Sequence, residues 1–349
     1  MRTILISVVM VLAISGVAHG QGQADAERIA PRNWTDPDLG GAIIEGVATR
    51  DSLWLRGASG NVVRIDRKSG ERSISATDVS DVLADGPHLW ALIAPNAGVA
   101  VVRDLRDTTR PERRVRFEGS PVGLFATPYG PGLLTTAMVF VPTDERWDRR
   151  RLAAMLEPGG HVSSLTGSTL FVGYNKGEWG GGLRRLDVAT GTIAIVTETG
   201  DGICGGRLNP ACDPVVGIVP DVEGSDCSLV GSSLAHLGLR RGEILRVCED
   251  RIDLVFAESL SGVPGPTDGQ TWPFDSLVET RDGWVAVGQD RFARASGEAV
   301  AMGDVPDLWP WAGLQISDPL DGVIFVQAAC CWGTETWVRY RVVAIPILP

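Results

Sequence analysis

Three carboxylates stand at matching distances from three tryptophans. Glu45 lies nine residues before Trp54, Asp81 nine before Trp90, and Asp275 nine before Trp284. An apolar residue follows each acid two positions on, at Val47, Leu83 and Leu277. If the three segments are equivalent strands, their carboxylates share one height around a common axis. Hard cations such as Ca²⁺ want several converging carboxylate oxygens, and the same ring would attract a cationic ligand. His161 opens a fourth such segment and could join the ring as ligand or base. The plainer alternative is that these acids face solvent in a wide, wet channel.

Other reactive constellations are not evident. His88 and His236 lack HxH or HExxH spacing and read as ordinary surface or core residues. Ser232-Ser233 lacks the GxSxG frame of a nucleophile elbow. Gly180-Gly181-Gly182 is followed by no GK[ST], so it is not a phosphate loop. Asp36-Pro37-Asp38 and Asp318-Pro319-Leu320-Asp321 are incomplete as calcium loops. Lysine occurs only at Lys68 and Lys176, which leaves few candidates for Schiff-base chemistry. No cofactor motif is identified; Ca²⁺ at the carboxylate ring is the one candidate ion.

The elements that would position these residues are short strands. In Gly167 to Val196, the runs Leu170-Phe171-Val172, Leu183 to Asp187 and Thr192 to Val196 are separated by Asn, Gly and Thr turns. That pattern is a hairpin meander, because strands need only about five residues and glycine supplies the turn conformations. Weaker copies recur at Trp54, Trp90, Leu134, Phe171, Val230, Trp284 and Phe325, at intervals of about 40 residues, the period of a four-stranded propeller blade. The expected fold is therefore all-β, a β-propeller of seven blades with four antiparallel strands each. Six or eight blades are the alternatives, since the third unit is faint and could hold a helical turn in DERWDRRRLAAMLEP. Two longer intervals contain insertions, Asp201 to Cys227 and Ser261 to Pro273. Trp54, Trp90 and Trp284 read as packing between blades, whereas Trp272, Trp309, Trp311 and Trp332 could line a binding surface.

Residues 1–20 read as a secretory signal peptide: Arg2, an apolar run from Ile4 to Ala18, and small residues at Ala18 and Gly20. Residues 21–40 read as a lead-in segment, and 41–349 as a single propeller domain. No later stretch is long and apolar enough to span a membrane. Without residues 1–20 the formal charge is −12, one more negative than the −11 of the whole chain. An acidic protein of this kind is not built for nucleic acid. Asn33-Trp34-Thr35 fits a glycosylation sequon, a motif too common to carry weight. Cys204, Cys212, Cys227, Cys248, Cys330 and Cys331 are an even set without CxxC spacing, which points to disulfides in an oxidising compartment. Their pairing is open; Cys227 and Cys248 bracket a hairpin and are the preferred single pair. Cys330-Cys331 could bridge each other, reach two separate partners, or take a soft metal.

The repeated LW pairs with NVVRID-RKSG, and GGLRRLDVATG, resemble blades of bacterial exported propellers of the quinoprotein-like and virginiamycin B lyase-like kind. That resemblance implies export to the periplasm or medium. Lyase-type relatives imply a metal beside a catalytic histidine, and quinone-dependent ones imply a cofactor at the axis, but no residue here matches either motif. The resulting expectation is a non-catalytic exported scaffold that binds a protein or a small-molecule ligand at its propeller face. The alternative is a metal-dependent lyase or hydrolase working at the central channel through Glu45, Asp81, Asp275 and His161.

Overall fold

The computed structural model describes residues 37–304 apart from 41–42, 50, 97, 144–145, 160, 203, 222–225, 237–238, 261–269, 281–282, 289–290 and 298, and beyond them the backbone of strands lying between 313 and 346. The signal peptide, the lead-in up to residue 36, Asn33, Trp309, Trp311, Trp332 and Cys331 lie outside the described residues, as do the side chains of His161, His236 and Cys330.

Six sheets of four antiparallel strands follow one another along the chain. Their innermost strands are Ile43–Ala48 in blade I, Val79–Asp85 in blade II, Pro121–Thr127 in blade III, His161–Thr166 in blade IV, Val215–Pro220 in blade V and Ser276–Thr280 in blade VI. Inner strands of neighbouring blades touch, so the sheets are arranged around an axis. A seventh sheet has three strands, Gly313–Ile316, Val323–Cys330 and Arg339–Pro346, and lies against the inner strands of blades VI and I. The fold is a β-propeller. The expected seven four-stranded blades are corrected to six: in the seventh unit the described strands pair as three, and the short Asp318–Pro319 strand pairs parallel with Val47 and Ala48 of blade I instead. The helical turn expected in blade III is also corrected, since Trp147–Arg151 is the outer strand of that sheet.

Composition explains the layering from axis to rim. Second strands are packed on both faces by neighbouring blades and are largely apolar, and Gly283–Val287 is buried at every position. Outer strands have lost one neighbour and are mostly exposed, as in Arg72–Ala76 and Ala299–Asp304. The core is a set of inter-blade clusters. Trp54 of blade I packs with Val82, Leu89 and Ala91 of blade II. Trp90 of blade II packs with Leu124, Leu133 and Phe140 of blade III. Trp284 of blade VI turns the other way, onto Phe256 of blade V at 5.6 Å between ring centroids.

The repeated Asp-x-x-Ser/Thr-Gly motif is turn chemistry. The Asp66 carboxylate accepts from the Lys68 and Ser69 amides, and the Asp187 carboxylate from the Ala189 and Thr190 amides. Gly70 and Gly191 then close each turn at φ 72° and 79°, where a side chain would be strained. These donors hold both carboxyls below the usual range, the Ser69 amide leading for Asp66 and the Thr190 amide for Asp187.

Gly180-Gly181-Gly182 has a further role beyond turning the chain. The Gly181 amide donates to the Pro210 carbonyl and the Gly182 amide to the Asp213 carbonyl, both at 2.8 Å. The glycine run is thus the seat on which the insertion between blades IV and V docks. That insertion is clasped by Cys204–Cys212, with Cα atoms 5.5 Å apart. Cys227–Cys248, the pair preferred from sequence, bridges two connections of blade V with Cα atoms 4.3 Å apart. No helix among the described residues is long and apolar enough to cross a membrane.

Candidate functional site

The inner strands of blades I to VI enclose an axial channel of about 610 Å³. Its wall alternates apolar side chains (Leu83, Leu124, Val162, Val219, Leu277) with the hydroxyls of Ser163, Ser164, Ser276 and Thr280 and the carboxylates of Glu45, Asp81 and Glu279.

The backbone explains how two of these acids are placed. The inner strands of blades I, II, III and V each carry an irregularity in their first residues. A bulge of this kind kinks the strand and re-aims the residue that follows. In blades I and II that residue is Glu45 and Asp81. Glu45 Oε2 accepts from Arg56 Nε at 2.7 Å and from the Val82 amide of blade II at 3.3 Å. Asp81 Oδ2 accepts from the Leu124 amide of blade III at 2.5 Å. Each carboxylate therefore reaches the backbone of the next blade and ties adjacent inner strands together at the channel wall. Burial, reinforced by the neighbouring Asp81 charge and opposed by Arg56, pushes Glu45 up to about 8.

Asp275 does not share the register of the other two. In blade II, Trp90 pairs with Leu83, seven residues back; in blade VI, Trp284 pairs with Glu279, five back. Trp284 stands one position nearer its hairpin turn, and a one-position slip sends each side chain to the opposite face. Asp275 consequently precedes the inner strand, its amide donating to the Val287 carbonyl, and it is not part of the channel lining. Burial alone pushes its carboxyl up to about 7. The equal spacing in sequence concealed this slip.

Glu279 is the residue that spacing missed. It lies on the channel wall two residues beyond Leu277, and its carboxylate makes no hydrogen bond or ion pair among the described residues. Partial desolvation raises its carboxyl above the usual value. The sequence signal was available: counted back from the turn-type run Arg281-Asp282-Gly283 in the sequence instead of from Trp284, Glu279 falls inside the strand Ser276–Thr280 and Asp275 falls outside it. His161 is the first residue of the blade IV inner strand and pairs with Tyr174.

His88 stands away from the channel lining, at the start of the second strand of blade II, His88–Asn96. Its Nδ1 lies 2.6 Å from the buried Asp104 carboxylate and its Nε2 lies 3.3 Å from Arg110. Trp272, a candidate surface aromatic in the sequence, is buried against Phe274. Among the described residues no group of three His, Cys, Asp or Glu side chains is placed to hold a metal ion.

No family model matches the chain, and no curated protein matches it. Among solved structures it is similar to a chain of the Mitotic Checkpoint Complex, with 12% identity, a TM-score of 0.51, and coverage of 96% of this chain and 99% of that one. It is also similar to the extracellular domain of the hybrid two component system BT4673 from B. thetaiotaomicron, with 10% identity and a TM-score of 0.50. There it covers 86% of this chain and 38% of the other. At these identities the likeness is one of fold, and the fold is the β-propeller.

Proposed function

We propose that the protein is an exported, non-catalytic propeller that binds a small cationic ligand at its axial channel. The observation that carries this reading is the division of labour among the wall carboxylates. Glu45 and Asp81 are engaged with the backbone amides of neighbouring blades, while Glu279 is left to meet a ligand. The channel volume falls in the range of small-molecule sites. Two disulfides in one chain support export to an oxidising compartment, periplasmic or extracellular.

The test is a thermal-shift panel of small primary and quaternary ammonium compounds, with CaCl₂ as a separate arm. Amines that raise the melting temperature of the wild type and fail to do so in Glu279→Gln support the reading. A panel without effect on the wild type, or shifts unchanged by Glu279→Gln, counts against it. The lyase or hydrolase reading would require Glu45 and Asp81 to give up their backbone partners to a metal. Elemental analysis of the purified protein for calcium and transition metals addresses that alternative.

A further inference from the structure

The outermost strands of the six blades are not alike. Blade II ends in Arg113–Arg116, with the sequence RRVR, and blade III in Trp147–Arg151, with the sequence WDRRR. Blade I contributes a single arginine, Arg72, to its outer strand, and Ile193–Val196, Ile252–Phe256 and Ala299–Asp304 of blades IV to VI contribute none. Six arginines are thus gathered on two adjacent outer edges of a protein whose formal charge is −11.

The arginines are sorted by strand face: Arg114 and Arg116 lie opposite Val115, which packs toward blade III, and Arg149 and Arg151 share the blade II side of their strand. Arg114 and Arg116 alternate with the buried Val115 on blade II. Arg149 and Arg151 share one face of the blade III strand, since side chains two apart on a strand point the same way. That face also carries Trp147, which packs into the cluster with Val115 and Phe117 of blade II, so it looks toward blade II. Arg114 is 73% exposed and Arg151 71%. Their acidic neighbours Glu112 and Glu118 offset only part of the charge, and the guanidinium groups of Arg116 and Arg149 have no hydrogen-bond or ion-pair partner among the described residues.

Charged edges can simply prevent edge-to-edge aggregation. Defence of that kind would be needed most on blades IV to VI, whose outer strands expose Ile195, Leu254 and Val300, and those edges carry no arginine. The charge is concentrated elsewhere. Both arginine-bearing strands are the last of their sheets, so each offers an edge to which another strand can add. An added strand with acidic residues at alternate positions would set carboxylates beside same-face arginines as cross-strand pairs, and arginine binds carboxylate through two parallel hydrogen bonds.

We infer that the outer edges of blades II and III form a docking surface for an extended polypeptide segment bearing alternate acidic residues. The test uses the full mature protein and fluorescence anisotropy of a labelled peptide alternating glutamate and valine. The double variants Arg114→Glu with Arg116→Glu and Arg149→Glu with Arg151→Glu keep the edges charged, so they preserve protection against aggregation while reversing the attraction. Binding to the wild type is expected, weakened about tenfold or more in at least one double variant. A peptide with proline in place of valine, unable to pair along an edge, is expected not to bind. Three results would each overturn the proposal: no binding of the alternating peptide, equal binding of the proline peptide, or arginine-dependent binding of phosphatidylglycerol vesicles in place of the peptide. Melting curves of both variants confirm that they remain folded.

Discussion

Blade V and the wall between blades I, II and III are held by different chemistry. Around blade V the links are covalent or buried. Cys227–Cys248 bridges its connections, Arg246 pairs with the buried Asp221, Arg241 pairs with the buried Asp213, and the Thr166 and Ser228 hydroxyls meet between blades IV and V at 2.7 Å. Along blades I to III the links are single carboxylates on neighbouring amides, Glu45 to Val82 and Asp81 to Leu124. The disulfide responds to reductant, and the Glu45 link to pH. The carboxylate links lie on the channel wall itself, so Glu45 and Asp81 both line the channel and brace its inner strands.

The contrast can be broken most severely at blade V. Replacing Cys227 and Cys248 by alanine frees a long loop in the unfolded chain and should cost about 3 kcal/mol, read as a lower urea midpoint. Reductant should then add little at that bridge. Arg246→Met removes the guanidinium facing Asp221 and should cost about 2–3 kcal/mol in the same assay. Gly182→Val is expected to cost about 2 kcal/mol, because a Cβ there would stand 2.8 Å from Pro210 Cα at a backbone φ of +69°. Limited proteolysis of Gly182→Val should cut first within the loop that Cys204–Cys212 clasps.

The pH-dependent effect is expected at Glu45. Its pKa is raised on folding from 4.5 to about 8, so the native state holds the proton more tightly than the unfolded chain. Its contribution to stability is complete below about pH 4.5 and is lost as pH rises toward 8. Asp275 adds a slope of the same sign between 3.8 and about 7. Glu45→Gln should flatten the fall in melting temperature across that window, while variants at blade V should shift the whole curve without changing its slope. A steeper slope in Glu45→Gln would show that another group sets the pH response.

The blade architecture was legible because strand-length apolar runs and glycine turns recur at one period, and Asp66 and Asp187 repeat the same turn. The Cys227–Cys248 pair was legible because both ends flank one hairpin. The site was legible only in part. Glu45 and Asp81 follow equivalent bulges, but Asp275 matched them by counting alone, and pairing register is set by the hairpin turn and not by distance from a tryptophan. The role of Gly180 to Gly182 was hidden for another reason: the loop they seat comes from more than twenty residues further along the chain. That the described strands of the seventh unit pair as three was likewise a matter of pairing, which one apolar mark at Phe325 does not specify.

The account rests on Glu45 and Asp81 acting as braces between inner strands, with Glu279 left to the ligand. Native-state hydrogen exchange of the Val82 and Leu124 amides tests this most directly. In the wild type both should be protected; Glu45→Ala should release Val82 alone, and Asp81→Ala should release Leu124 alone. Free exchange at both amides in the wild type, or protection unchanged in either variant, would contradict it.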